Sequence, residues 1–245
     1  MICIILAAGY ATRLYPLTEN FPKPLLKVGD KTILDHLIDD IASGGNVSEF
    51  VVISNHKFVS HFEQWAQTKS YKVTVVDDGT TSNENRLGAV CDIKFAIDAL
   101  GLNDDMLIIA GDNVLDFSLN KFVDYALDKN ASCVMRYYEQ DANKLKKSGV
   151  LSVTDNDNVT DMAEKPQNPA SNWCCPPFYF YTKNDISLIG DAIKSGCNTD
   201  APGSFVSWIC KKVQVYAFEM PGSRYDIGNL ESYEKVQKEY KGITR

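Results

Sequence analysis

The sequence predicts an α/β fold on a mostly parallel central sheet, and three observations carry that prediction. Before residue 113, four short runs rich in apolar residues (1–7, 49–54, 71–76 and 106–110) each end in a glycine-containing or polar loop. Short continuous apolar runs of this kind fit strands buried on both faces. Second, the segments between them repeat apolar residues at helical spacing, and strand–helix alternation calls for crossover connections and parallel pairing. Third, 245 residues with 44% hydrophobic and 23% charged side chains are ordinary globular composition. A chain of that mass buries about 70% of its unfolded surface, enough for a full core without disulfide staples.

Each element follows in order. The opening run Met-Ile-Cys-Ile-Ile-Leu-Ala is a strand closed by a glycine loop, and a polar stretch with Pro22 and Pro24 comes next. Ile33, Leu34, Leu37, Ile38 and Ile41 mark a helix that Gly44-Gly45 stops. A strand over 49–54, a helix over 56–68 and a strand over 71–76 follow, then a polar loop over 77–86. The spacing predicts a helix over 87–100, a strand over 106–110, a helix over 119–127 and a strand over 131–138. After residue 140 the strands are short (149–153, 159–163, 178–181), with helices near 184–195 and 203–211. A strand over 213–219 and a closing helix over 230–240 complete the pattern. The three histidines, 36, 56 and 61, fall in the two early helices as surface or packing residues.

Charge and cysteine usage narrow the class. With 25 basic and 32 acidic side chains the net charge is −7. An acidic chain is a poor general binder of nucleic-acid backbones, though a local basic pocket for a small anion is compatible with it. Seven cysteines without a CxxC pair indicate neither a zinc site nor a disulfide framework, so reduced thiols in a cytoplasmic protein are expected. The opening apolar run lacks a basic leader, and no stretch approaches membrane-spanning length, so no membrane partner is expected.

Open α/β sheets bind ligands beyond the carboxyl ends of their strands, and four segments stand at such places. The first runs from Leu6 to Leu14 and includes Ala8, Gly9, Tyr10, Ala11, Thr12 and Arg13. Its small residues let backbone N–H groups approach an anion, and the Arg13 fork matches phosphate oxygens. Lys23, between Pro22 and Pro24, is a second cation suited to phosphate. The second is Gly111-Asp112-Asn113, where a carboxylate past a buried strand is placed to hold Mg²⁺. The third is Glu164-Lys165-Pro166 and the fourth Arg224-Tyr225-Asp226-Ile227-Gly228, with Asp226 as a second metal ligand. Taken singly, each segment is no more than a turn, a helix cap or a solvated charge pair. No dinucleotide fingerprint occurs, and Gly29-Asp30-Lys31-Thr32 lacks the spacing of a Walker loop.

The ordered set of these segments resembles the sugar-1-phosphate nucleotidyltransferase family, also called nucleotide-sugar pyrophosphorylases. It is most similar to the glucose-1-phosphate thymidylyltransferase and uridylyltransferase branch. The resemblance extends over nearly the whole chain and includes Lys23-Pro24-Leu25-Leu26. It implies a Rossmann-like α/β/α sandwich with a small sugar-binding subdomain. One domain over 1–245 would then have a nucleotide-binding half over 1–140 and a sugar-phosphate-binding half over 141–245. It further implies that Ala8 to Arg13, with Lys23, hold the nucleotide and that Leu87-Gly88-Ala89 lie against the base. Asp112 and Asp226 would bind Mg²⁺, Gly149 and Glu164 would face the sugar, and Lys165 its phosphate.

The implied reaction joins an NTP, UTP or dTTP being favoured, to a sugar-1-phosphate, with glucose-1-phosphate favoured. The catalytic group would be Arg13, Lys23, Asp112, Lys165 and Asp226, and a homodimer is compatible with the class. Departures from the family pattern lie at Ser82–Arg86, where thymidylyltransferases carry glutamines, and at Pro176-Pro177-Phe178-Tyr179. Two alternatives stand beside this reading. One is a cytidylyltransferase acting on phosphocholine, with Trp173, Phe178, Tyr179 and Tyr181 as an aromatic cage. The other is a non-catalytic nucleotide-sugar-binding homologue.

Overall fold

A computed structural model describes residues 1–244. In chain order the elements are β1 (Ile2–Leu6), β2 (Lys27–Val28), β3 (Lys31–Thr32), α1 (Ile33–Ser43), β4 (Glu49–Ser54), α2 (Val59–Ala66), β5 (Val73–Asp77), α3 (Ala89–Leu100), β6 (Met106–Ala110) and β7 (Asn113–Leu115). There follow α4 (Asn120–Lys129), β8 (Ser132–Tyr138), α5 (Ala142–Leu145), β9 (Gly149–Val153), β10 (Val159–Glu164), β11 (Trp173–Cys175), β12 (Phe178–Tyr181), α6 (Lys183–Ile186), α7 (Ile189–Lys194), α8 (Gly203–Ile209), β13 (Val215–Glu219), β14 (Arg224–Asp226) and α9 (Leu230–Glu239). The chain divides into two units, each assembled from separated segments.

Unit 1 comprises residues 1–86, 110–121 and 221–244. Its β1, β4 and β5 pair in parallel, with Ile4 opposite Val51 and Val52 opposite Val75. Cys3, Ile4, Ile5 and Val51 to Ile53 are fully buried, as strands covered on both faces require. α1 begins at a capping box. The Asp35 N–H donates to Thr32 Oγ1 at 3.0 Å, and the Thr32 N–H donates to Asp35 Oδ2 at 3.2 Å. Gly29-Asp30 is the turn of the β2–β3 hairpin, with Gly29 at φ 63°. A second small core joins Leu14, Val28, Ile33, Val114, Ile227 and Val236, drawing on all three segments of the unit.

Unit 2 comprises residues 87–109 and 122–220. Its strands run in the order β10-β9-β11-β8-β12-β6, antiparallel throughout, with β13 pairing β8 in parallel. Strand pairing is therefore parallel in the first unit and largely antiparallel in the second, within the predicted α/β class. α8 packs on β10.

Several sequence boundaries are corrected. His56 lies before α2, not in it, because the Asn55 side chain accepts the Phe58 N–H at 3.1 Å and closes a turn there. α3 begins at Ala89 because Gly88, at φ 91° and ψ 149°, cannot be helical. The expected helix at 184–195 is two short ones, α6 and α7. β13 starts at Val215, since the Val213 N–H still closes on Ile209 C=O at 3.0 Å. Among the described residues all seven cysteines are free. Among the described residues no helix is long and apolar enough to cross a membrane.

Candidate active site

In unit 1 the end of β1 opens into a cavity of about 240 Å³ whose lining includes Gly9, Ala11, Arg13, Lys23, Asp112 and Gly228. Residues far apart in sequence meet here because β1 and the segment after Ala110 run side by side. The Gly111 N–H donates to Leu6 C=O at 3.1 Å. Gly111 suits that approach: a Cβ there would lie 3.1 Å from the Ile5 side chain and 3.4 Å from Pro24.

The loop itself is shaped from behind. Ala11 adopts the left-handed conformation, φ 47° and ψ 41°, which costs a non-glycine residue about 1 kcal/mol. Its carbonyl accepts from the buried Thr18 hydroxyl at 2.8 Å and from the Leu14 N–H at 3.0 Å. Tyr10 is buried, and its hydroxyl donates to Thr80 C=O at 3.1 Å. Burial raises the pKa of that phenol above its usual value. Ala8 is half-buried, while Gly9, Thr12 and Arg13 are exposed.

Lys23 is placed by a single 3-10 turn, Lys23–Leu25, stiffened by Pro24. It is 7% exposed, and its Nζ lies 2.8 Å from Asp112 Oδ2. Asp112 Oδ1 accepts from Asn113 Nδ2 at 2.8 Å, and Asn113 Oδ1 accepts from the Arg224 guanidinium at 2.7 Å. Arg224 lies 3.5 Å from Asp226 Oδ2. β7 and β14 pair with Asn113 opposite Asp226, and Asp112, the other predicted metal ligand, directly precedes β7. Lys23, Asp112, Asn113, Arg224 and Asp226 thus form one polar chain, of which Lys23 and Asp112 line the cavity. Sequence reasoning assigned no role to Asn113 or Arg224, although both lie inside the motifs it quoted.

Unit 2 holds the other predicted residues. Gly88 is buried against the backbone of Thr199 and Asp200, while Leu87 is exposed. Glu164 ends β10 opposite Gly149 on β9. A Cβ at Gly149 would lie 2.5 Å from the end of Met162, and one at Gly203 only 2.2 Å from Glu164 Oε1. Two glycines therefore make room for the Glu164 and Met162 side chains, and Gly203 went unread in the sequence. Burial is the main cause that pushes the Glu164 carboxyl above its usual range. Lys165 is exposed and held at φ 46°. Ala11 and Lys165 are two of the four non-glycine residues with positive φ among those described, the kind of backbone strain that collects at binding sites.

A second cavity in unit 2, about 580 Å³, includes Glu164, Asn198, Ser204, Ser207, Trp208 and Lys211 in its lining. The residues weighed as a choline cage do not open onto such a space. Phe178, Tyr179 and Tyr181 are at most 2% exposed, and Tyr181 packs edge-on against Phe205. Trp173 is covered by the Arg136 guanidinium, 4.3 Å from its ring.

The sequence profile of a family described as Nucleotidyl transferase matches residues 2–242. The chain is similar to a UTP–glucose-1-phosphate uridylyltransferase, AglF, of Haloferax volcanii, with 28% identity over 97% of this chain and 96% of the relative. It is also similar to a glucose-1-phosphate adenylyltransferase of Fervidobacterium nodosum, with 27% identity over 98% of this chain and 61% of the relative. The chain spans only 51–62% of the length of several of the curated relatives it matches, this one included. In three dimensions it matches the crystal structure of a UDP-glucose pyrophosphorylase complexed with UDP-glucose. That match has a TM-score of 0.82 and 20% identity, and covers 98% of this chain and 97% of the other. This last likeness establishes the Rossmann-like fold.

Proposed function

This chain belongs to the nucleotidyl transferase family, and on that premise we propose that it transfers a nucleotidyl group from an NTP to a sugar-1-phosphate. The products are an NDP-sugar and pyrophosphate. The observation that carries the reading is the convergence of Gly9, Arg13, Lys23 and Asp112 on one cavity of unit 1. Two cations and a small-residue loop are the parts that a triphosphate calls for, and a carboxylate is what its Mg²⁺ calls for.

The chemistry needs no protein nucleophile. A sugar-1-phosphate already carries an ionised oxygen; that oxygen bonds to the α-phosphorus of the nucleotide, and the bond to the β-phosphate oxygen breaks. The protein's work is positioning and charge neutralisation. Arg13 and Lys23 balance charge on the triphosphate and the departing pyrophosphate. Lys165 balances the acceptor phosphate, and Glu164 with Gly149 receives the sugar hydroxyls.

The carboxylates fit Mg²⁺. Asp112 and Asp226 are partly open to solvent, with side-chain exposures of 38% and 56%. No cluster of three or more metal-binding side chains occurs among the described residues. Mg²⁺ takes one or two carboxylates and completes its shell with water and phosphate oxygens, which this pair allows. When bound, the ion supplies positive charge to the phosphate oxygens. Lys23 and Arg224 hold the two carboxylates in place.

For the substrates we favour UTP or dTTP with glucose-1-phosphate. Support comes from the Haloferax uridylyltransferase, matched along nearly its whole length. The hydroxyl- and amide-bearing cavity beside Glu164 supports a sugar acceptor. The test is pyrophosphate release with Mg²⁺ across five NTPs, four sugar-1-phosphates and phosphocholine. Strong release with UTP or dTTP and glucose-1-phosphate is expected. Silence in every combination from folded protein would refute the enzyme reading, and phosphocholine activity with CTP would replace it.

A further inference from the structure

We infer that Asn55 is a positioning residue for the nucleotide loop: its buried amide turns the Ala8–Gly9 peptide so that the Gly9 N–H faces the cavity. The inference rests on the proposal that this loop holds the triphosphate.

Asn55 follows β4 directly and is completely buried. Its Nδ2 donates to Ala8 C=O at 2.9 Å, and its Oδ1 accepts the Phe58 N–H at 3.1 Å. Both ends of the amide are thus committed, and these two bonds settle its orientation. A flipped amide would set oxygen against oxygen and donor against donor.

The consequence for the loop follows from peptide geometry. Carbonyl and N–H of one trans peptide point in opposite directions, and the only cis bond among the described residues is Tyr15–Pro16. The Ala8 carbonyl points inward at Asn55, so the Gly9 N–H points outward. Gly9 lines the cavity together with Arg13 and Lys23. A Cβ built on Gly9 meets no atom within 4 Å, so space lies open around it. A backbone donor on that side, next to two cations, is suited to a phosphate oxygen. Were Asn55 to lose its donor, the peptide could turn over and present a carbonyl to the phosphate instead.

Asn55→Asp tests this directly. The carboxylate keeps an acceptor for the Phe58 N–H but places an oxygen against Ala8 C=O. Titration calorimetry with Mg·UTP and with inorganic pyrophosphate should show binding weakened about tenfold or more. The KM for UTP should rise while the KM for glucose-1-phosphate stays near wild type, a split that general unfolding would not produce. Should the aspartate protein fail to fold, Asn55→Ser retains a short cap acceptor and cannot reach Ala8, and the same weakening is expected. Equal affinity for both ligands in folded variant and wild type would overturn the inference. If wild type itself binds no nucleotide, the proposed function falls. The inference is then decided by the crystal structure of the ligand-free Asn55→Asp protein. A turned Ala8–Gly9 peptide supports the bracing role, and an unchanged one overturns it.

Discussion

Replacing Gly88 by alanine tests whether this glycine is required by the fold before any ligand arrives. Gly88 stands at φ 91° and ψ 149°, a region that only glycine occupies readily, and an alanine there costs about 1–3 kcal/mol of strain. The added Cβ would lie 2.5 Å from the Thr199 carbonyl oxygen, 2.9 Å from its carbon and 3.1 Å from Asp200 Cα. These are backbone atoms and cannot rotate away. The same segment receives the first donors of α3: Ala89 N–H to Asp200 C=O at 3.2 Å, and Val90 N–H to Thr199 C=O at 3.0 Å. Pushing the 199–200 segment outward costs a further ~1–3 kcal/mol of overpacking. The sum is about 2–6 kcal/mol, a large share of the ~5–15 kcal/mol that holds an ordinary domain. Urea unfolding followed by tryptophan fluorescence should show the midpoint falling accordingly at unchanged slope. Leu87→Ala, one residue earlier and exposed, should cost less than about 0.5 kcal/mol. A Gly88→Ala protein with wild-type stability would refute the packing argument.

Three further outcomes follow from the same geometry. Lys23→Met removes the cation beside Asp112 and should lower turnover by about 10²–10³-fold while leaving the circular dichroism spectrum unchanged; activity within a few fold of wild type would remove Lys23 from the site. In Asp35, burial works to raise the pKa, but hydrogen bonds from Lys69, Thr32 and Trp65 outweigh it and the carboxyl titrates below its usual value. Its contribution to stability is therefore present above the unfolded-state pKa and is lost as pH falls through the lower folded value; Asp35→Asn should cost roughly 1–3 kcal/mol at neutral pH and flatten that acid limb in pH-dependent unfolding. In Glu164 the shift is upward, from burial, so the KM for the acceptor should climb as pH falls, starting above the usual carboxylate range. Glu164→Gln should abolish that dependence, and a KM independent of pH in wild type would separate Glu164 from the acceptor.

What the sequence made legible was whatever is stored in local patterns. β4 and β6 appear at their predicted limits, because a short apolar run bounded by turn residues has few other uses. α1 was readable from five apolar positions on one face. The three-residue strands β7, β11 and β14 were not readable, since so few residues show no period; they exist because partners far along the chain supply their hydrogen bonds. The same distinction holds at the candidate site. Asp112 and Lys23 stand in recognisable motifs, but their contact spans 89 positions and had no local trace. Asn55 and Thr18 act through backbone carbonyls elsewhere in the chain, and a side chain that grips a peptide leaves no signature of its own type. Gly203 is explained only by the Met162 and Glu164 side chains that its missing Cβ admits.

The interleaving of unit 1 has a consequence for how the molecule is made. Val114 leaves the ribosome long before its core neighbours Ile227 and Val236, and unit 1 lacks its final segment while residues 122–220 are added. At about 5–20 residues per second, that interval lasts roughly 5–20 s. Throughout it, the growing chain carries the Lys23–Asp112 pair and the loop at Gly9 but neither Arg224 nor Asp226. The residues proposed to hold the triphosphate therefore emerge early, and Asp226, the second carboxylate of the proposed metal pair, is added only near the end.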